Sequence, residues 1–219
     1  MVDFEGRRRA LVASLERSGY IQDPHVRRAF LTVPREEFLT QDLRSDAYDD
    51  SPLPIGAGQT ISAPSMIAIM LEEARLAAGQ TVLEVGTGSG YNVALLAAIV
   101  GPRSVVSMER IPELAEFGRD NLRRTGFSEV EVVVGDGTLG YPPRAPYECI
   151  MATAGAPRIP RPWKEQTKVG GRIVAPIGRS TFTQVLTIAT LAPGGQWDVR
   201  EGTPCAFVPL VGAEGWRED

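Results

Sequence analysis

Two regimes of apolar spacing divide this chain. Over residues 4–39 apolar side chains recur at helical intervals, and from residue 81 onward short apolar runs alternate with helical stretches. The first regime predicts two short helices. Ser18-Gly19 breaks the first, Asp23-Pro24 opens the second as an N-cap and N1 pair, and Val33-Pro34 stops it. Residues 46–63, DAYDDSPLPIGAGQTISA, have little periodicity and much glycine, proline and polar content, so they are expected to be irregular. Tyr48, Leu53, Ile55 and Ile61 give the segment enough apolar mass to be packed down. Pro64 then starts a helix with Met66, Ile67, Ile69, Met70 and Leu71 on its apolar side. Strands are expected at 81–85, 104–109, 131–135 and 147–153, with helices at 91–100 and 112–124 separating the first three. That βαβαβ rhythm calls for a parallel sheet with right-handed crossovers. Further strands at 172–176, 184–192 and 205–209 are joined by turns at Lys168-Val169-Gly170-Gly171 and Pro193-Gly194-Gly195, which predicts antiparallel pairing near the C-terminus. The expectation is one α/β domain over 1–219. A helical and loop segment, 1–76, precedes a doubly wound, mostly parallel sheet in 77–219.

Composition narrows the partners more than the fold. A chain of 219 residues suffices to bury about 70% of its unfolded surface in one domain. The formal net charge of −4 gives no electrostatic case for nucleic acid or an anionic membrane. Arg7-Arg8-Arg9 lies on a helical pattern with Leu11, Leu15 and Glu16 and reads as a solvated face. Two cysteines, Cys149 and Cys205, are too few for a disulfide framework, and Cys149 falls inside an apolar strand pattern as a buried thiol. No apolar run reaches the length of a signal peptide or of a bilayer span, so the expected location is cytoplasmic. With His25 as the single histidine and no Cys/His cluster, no metal site is expected.

Residues 82–98, VLEVGTGSGYNVALLAA, carry the most chemical information. An apolar strand runs into glycine at every second position and then into a helix. Glycines let the backbone turn sharply and approach a ligand, and the following helix N-terminus offers unpaired N–H groups. A phosphate-binding P-loop needs a lysine that is absent between Gly86 and Gly101, and the dinucleotide pattern G-x-G-x-x-G requires glycine where Tyr91 stands. The pattern that remains is E-x-G-x-G-x-G. Glu84 at the strand tip is expected to repel a phosphate and to suit an ammonium or sulfonium group, so S-adenosylmethionine becomes the candidate ligand, with Gly86, Thr87, Gly88 and Gly90 around it.

A doubly wound nucleotide site also needs an acid at the end of the next strand, about 20 residues on, for the ribose hydroxyls. Glu109 occupies that place. The third strand ends in Gly135-Asp136-Gly137, where Asp136 is expected to accept from an adenine amino group while the Gly137 backbone lies against the ring. Glu84, Glu109 and Asp136 should therefore line one crevice at the topological switch point.

On these residues the chain resembles the protein-L-isoaspartate (D-aspartate) O-methyltransferases. The resemblance is carried by Val33-Pro34-Arg35-Glu36-Glu37-Phe38, by AYDDSPLPIGAGQTISAPSM over 47–66, and by EVGTGSGYN over 84–92. It continues in the glycines around Asp136, in Pro146-Tyr147-Glu148 and in Phe207-Val208-Pro209-Leu210. The glycine loop points only to class I methyltransferases in general, whereas LPIGAGQTISAP over 53–64 is narrower. The resemblance implies a Rossmann-like class I fold and methyl transfer from S-adenosylmethionine to the α-carboxylate of L-isoaspartyl, and by the family's name D-aspartyl, residues in damaged proteins and peptides. S-adenosyl-L-homocysteine is the product, and the ester then collapses without the enzyme to a succinimide that partly reopens to aspartate. It further implies a monomer, Ser62 as the active-site residue, Gln59, Thr60 and Ile61 facing the cofactor, and a 205–210 strand gripping substrate backbone. The nucleophile is a carboxylate with an ordinary pKa of about 3.5–4, so no general base is required.

Ser62 has a second reading as an N-cap of the helix that Pro64 opens, and the two roles are compatible. Many relatives carry a bulkier residue at Ala57 and His or Tyr at Ser65; both positions flank the substrate region. Trp163, Trp197 and Trp216 match no motif position and are assigned to packing. A small-molecule methyltransferase would share the loop, Glu109 and Asp136 without a reason to keep LPIGAGQTISAP. A cofactor-binding adaptor without turnover also stays open, while Tyr91 and Glu84 disfavour a nicotinamide-dependent oxidoreductase.

Overall fold

In the computed structural model, residues 2–181 and 183–217 are described. Helix α1 (Phe4–Arg17) is capped by Asp3, whose carboxylate accepts from the Gly6 N–H at 2.8 Å. Helix α2 (Pro24–Thr32) is capped by Asp23, with Pro24 in its first turn. These are the breaks expected at Ser18-Gly19 and Asp23-Pro24. Two 3-10 turns, Arg35–Phe38 and Gln41–Asp46, lead into a segment that differs from its reading as irregular. Strands β1 (Leu53–Gly56) and β2 (Gln59–Ile61) form a small antiparallel hairpin. The turn residues Ala57 and Gly58 both adopt positive φ, +49° and +70°, the backbone of a tight hairpin turn. Only Leu53, Ile55 and Ile61 are buried, so the alternation is too short to stand out from the surrounding Gly and Pro. Helix α3 (Pro64–Ala74) follows at once.

The remaining elements are β3 (Val82–Val85), α4 (Tyr91–Val100), β4 (Val105–Glu109), α5 (Pro112–Arg124), β5 (Glu131–Val134), β6 (Tyr147–Ala152), α6 (Arg161–Gln166), β7 (Thr167–Ser180), β8 (Thr183–Leu191) and β9 (Trp197–Cys205). They build a seven-stranded sheet in the order β5-β4-β3-β6-β7-β8-β9. Strands β5, β4, β3, β6 and β7 are parallel, and β8 and β9 are antiparallel additions. The chain leaves β3 toward one edge and returns through β6 toward the other, so the switch point lies between β3 and β6.

Side-chain alternation sorts these strands onto two faces. Val82, Cys149, Met151 and Val174 share a core with Leu95 and Leu96 of α4 and with Leu11, Phe30 and Phe38 of the N-terminal segment. Leu83, Val85, Val106, Ile150 and Ile173 face the opposite side, where Trp163 of α6 is fully buried. Strands β3 and β4 are buried throughout, as a parallel sheet covered on both faces requires.

Two expectations need correction in the C-terminal region, and one element there was not expected. The strand placed at 205–209 is at Trp197–Cys205, an edge strand exposed along nearly its whole length, which leaves little apolar pattern to read. Phe207 and Leu210 are buried, but residues 206–211 run off the sheet; Val208 O accepts from Gly155 N at 2.8 Å, and Leu210 N donates to Gly155 O at 2.8 Å. The 168–171 stretch is a looped-out bulge inside β7, since Tyr147 pairs with Thr167 and Cys149 with Arg172. Helix α6 went unanticipated because it is a single short stretch between prolines and β7. No helix among the described residues is long and apolar enough to cross a membrane.

Candidate active site

The loop after β3 is held against its neighbours at both ends. Gly86 N donates to Met108 O at 2.8 Å, and its own carbonyl accepts from the Thr153 hydroxyl at 2.8 Å. A Cβ on Gly86 would stand 2.4 Å from Thr153 Oγ1, and φ there is +105°, so only glycine fits. Gly90 caps α4 at φ +86°, where a Cβ would approach Gly118 O of α5 to 3.0 Å. Between them Gly88 N donates to Glu109 Oε2 at 2.9 Å, and Ile111 N donates to Glu109 Oε1 at 3.0 Å. The glycine loop, the end of β4 and the start of α5 are thereby tied to one carboxylate.

A crevice with about 610 Å³ of open space lies outside the carboxyl ends of β3, β4 and β6. Gly86, Gly88, Glu109 and Gly137 line its strand side. Ile55, Gln59 and Thr60 of the β1–β2 hairpin and residues 208–211 face them. A smaller space of about 280 Å³ runs beneath Thr60, Ile61 and Ser62 toward Thr87, Ser89 and Asn92. A third, of about 540 Å³, opens between Ser62, Ala63 and Met66 on one side and Cys205, Phe207 and Val208 on the other. Thr60 and Thr153 border all three, so the spaces meet at these two hydroxyl-bearing residues.

The expected site residues do not all share the crevice. Gln59, Thr60, Gly86, Gly88, Glu109 and Gly137 line it, while Ile61, Ser62 and Thr87 border the smaller space beside it. Gly90 acts on the loop's shape. Glu84 does not face the ligand space, contrary to its reading as a strand-tip acid. The tip is Val85; Glu84 shares the face of Val82 and lies fully buried under α4. Its oxygens accept from Asn92 Nδ2 at 3.0 Å and from the Ser107 hydroxyl, and Ser107 Oγ lies 2.5 Å from Thr87 Oγ1. Burial pushes the Glu84 carboxyl up to about 8, against the opposing pull of the Ser107 and Asn92 hydrogen bonds. Glu84 is thus a brace linking α4, β4 and the glycine loop.

Asp136 is not among the residues lining the crevice, and its carboxylate is engaged by the C-terminal segment. One oxygen accepts from Thr138 N at 2.9 Å and Thr138 Oγ1 at 2.6 Å, and the other accepts from Ala213 N at 2.8 Å. It fastens the C-terminal segment over the end of β5, and the neighbouring Gly137 lines the crevice. Trp163 supports that turn from below by donating Nε1–H to Gly137 O at 2.8 Å. Sequence reasoning missed Thr153, which follows β6 and obeys the same strand-end rule as Glu109. The 205–210 stretch was expected to grip substrate, but its reach to the principal crevice at residues 208–211 was not foreseen, because it depends on their departure from the sheet.

Ser62 is not the helix cap. The N-cap of α3 is Ala63, and the first turn is capped from outside by Asp50 Oδ1, which accepts from Ser65 N at 2.8 Å. The half-buried Ser62 hydroxyl has no partner among the described residues, and it borders both the smaller space and the third cleft. Its carbonyl accepts from Arg35 Nη2 at 2.9 Å.

A parallel-led seven-stranded sheet with this glycine loop and an acid closing the second parallel strand defines a Rossmann-like class I methyltransferase. Residues 6–215 match the family described as Protein-L-isoaspartate(D-aspartate) O-methyltransferase (PCMT). The protein-L-isoaspartate O-methyltransferase of Hyperthermus butylicus is 52% identical over 98% of this chain and 92% of its own length. That of Pyrococcus abyssi is 50% identical over 99% of this chain and 100% of its own. A solved protein-L-isoaspartate O-methyltransferase superposes with a TM-score of 0.85 at 33% identity, covering 95% of this chain and 67% of the other. A second solved structure, described as a putative PCMT from Plasmodium falciparum in complex with S-adenosyl-L-homocysteine, shares the fold with a TM-score of 0.82 at 24% identity, over 96% of this chain and 99% of that one. This chain belongs to the protein-L-isoaspartate (D-aspartate) O-methyltransferase family.

Proposed function

We propose that this chain repairs damaged proteins by methylating the α-carboxylate of L-isoaspartyl residues, with S-adenosylmethionine in the principal crevice and the peptide in the cleft beside Ser62. The observation that carries this reading is the Ser62 hydroxyl, without a partner among the described residues, on the border between the largely apolar cleft and the smaller space that adjoins the principal crevice. Bound S-adenosylmethionine supplies an electrophilic methyl group on a sulfonium. Glu109 keeps lone pairs beyond those taken by Gly88 and Ile111, and these accept the ribose hydroxyls. Gly86, Gly88 and Gly137 admit the ligand close to main chain, and Gln59, Thr60 and Ile61 close over it.

Ser62 donates its hydroxyl to the substrate carboxylate and acts as an orienting group. The carboxylate is already ionised at neutral pH, so the site need only align an oxygen with the methyl carbon opposite sulfur and remove water from it. Met66, Phe207 and Val208 supply the apolar walls that exclude water. The 205–208 segment bordering the same cleft fits a substrate gripped by its backbone, which would let many damaged sequences bind. We assign the chain to the cytoplasm, in keeping with two cysteines in 219 residues.

The test is a paired-peptide assay with labelled methyl on the cofactor. An isoaspartyl peptide is expected to take up label while its aspartyl twin does not. Equal labelling of both, or of neither, would overturn the assignment.

A further inference from the structure

Arg35 is fully buried, yet nothing in the methyl transfer described above uses it. It stands in the 3-10 turn between α2 and the β1–β2 hairpin, next to the apolar Phe38. Its Nη2 donates to the Ser62 carbonyl at 2.9 Å, and its guanidinium carbon lies 4.9 Å from the centroid of the Tyr91 ring. Tyr91 is the first residue of α4, directly after the glycine loop. Asp50, which caps α3, also attracts the Arg35 charge. Nε and Nη1 have no hydrogen-bond partner among the described residues. Burial lowers the guanidinium to about 10, partly offset by Tyr91, Tyr48 and Asp50, so it stays charged at neutral pH.

Stability does not explain such a residue. Taking a guanidinium wholly out of water with two donors unpaired among the described residues carries a heavy desolvation cost, and a well-packed apolar side chain of similar volume is often neutral or better. Phe30 and Phe38 already pack edge-on against Tyr91, with centroids 6.4 and 5.5 Å away, so an apolar neighbour would be compatible with the site. The arginine offers something else: a rigid fork that reaches the main chain of Ser62 while resting on the residue that opens α4. It spans the two elements whose relative placement sets the Ser62 hydroxyl against the methyl donor.

We propose that Arg35 is a positioning residue for the transfer: it fixes the Ser62 main chain relative to the glycine loop, so that the Ser62 hydroxyl meets the substrate carboxylate. This rests on the role given to Ser62 above. A residue that acts through Ser62 must lose its effect once the hydroxyl is gone, whereas a residue that only supports the fold must not.

The experiment is a double-mutant cycle of Arg35→Met and Arg35→Lys, each with and without Ser62→Ala. Each variant is measured for melting temperature, S-adenosyl-L-homocysteine affinity by calorimetry, and kcat and KM on an isoaspartyl peptide. Arg35→Met should lower kcat about 10-fold or more, while product-nucleoside affinity moves by less than about twofold. Arg35→Lys, which keeps a donor for Ser62 and a cation over Tyr91, should recover roughly a third or more of the kcat. In the Ser62→Ala background Arg35→Met should lower kcat by less than about twofold. Equal losses in both backgrounds, an unchanged kcat in folded Arg35→Met, or a loss confined to nucleoside affinity would overturn the proposal. If Arg35→Met does not fold, Arg35→Gln, which removes the charge and shortens the side chain but keeps a polar end, takes its place in the cycle under the same criterion. An inactive wild-type chain would instead remove the proposed function, which separates that failure from an additive cycle in an active enzyme.

Discussion

Both oxygens of Glu109 are engaged by main-chain N–H groups, so this side chain shapes the glycine loop as well as facing the crevice. Glu109→Ala should therefore weaken S-adenosyl-L-homocysteine binding by roughly 10- to 100-fold, as hydrogen bonds to a charged group worth about 1.5–3 kcal/mol imply. Calorimetric titration would check it, and an unchanged affinity would take Glu109 out of the site. Glu84 makes a different kind of statement, about pH. Its carboxyl is raised by burial from an ordinary 4.5 to about 8. Below 4.5 it is protonated in both the folded and the unfolded chain. As pH rises toward 8 the unfolded chain ionises first, so the folded state loses stability over that window. Glu84→Gln has no such titration and keeps a donor and an acceptor for Ser107 and Asn92. Its melting temperature relative to wild type should climb between about pH 5 and pH 8. A difference that stays constant across that range would contradict the buried, protonated carboxyl. The place of Glu109 on the crevice was legible from spacing alone, because an acid closing the next strand follows a glycine loop at a regular interval. The parts of Glu84 and Asp136 were not. Both close strands in the sequence, but only pairing and packing show that one turns beneath α4 and the other is engaged by Thr138 and Ala213.

At the scale of elements, α3 begins without a cap of its own, and Asp50 supplies one from the preceding loop. Asp50→Ala should destabilise the chain by about 1 kcal/mol, read as a shift in the denaturation midpoint at unchanged slope. An unaltered midpoint would show that the first turn of α3 is held by other means. The helices and parallel strands that fix the crevice were readable because each has a recognisable signal: the Asp-Pro start of α2, the valine-rich runs of β3 and β4, the glycine at the head of α4. The β1–β2 hairpin was not, since three buried positions alternate across a turn that places Ala57 at positive φ. Strand β9 was misplaced for the opposite reason. As an exposed edge it carries Asp198, Arg200 and Glu201 where an interior strand would carry valine, while the buried Phe207 and Leu210 mimic a strand just beyond it. That shift matters to function, because it frees residues 206–211 to leave the sheet and wall the crevice and the cleft.

On the scale of the whole molecule, the N-terminal helices, α4 and one sheet face share a continuous core, and the β1–β2 hairpin bridges from that core to the mouth of the crevice. The nucleotide side of the site is built by strand ends and the glycine loop. The neighbouring cleft, to which the proposed function assigns the peptide, is built by α3, the hairpin and the C-terminal segment. The two share Thr60 and Thr153, with Ser62 bordering the cleft beside them, and under the proposed function this is where a methyl donor meets a carboxylate acceptor. Repair is the consequence that this coupling must have in solution. The most direct measurement follows an isoaspartyl peptide with the chain and S-adenosylmethionine over repeated turnovers, separating isoaspartyl from aspartyl forms by chromatography. The aspartyl form is expected to grow at the expense of the isoaspartyl one only while the cofactor is present. An isoaspartyl population that persists undiminished while the purified chain binds the cofactor would contradict the account.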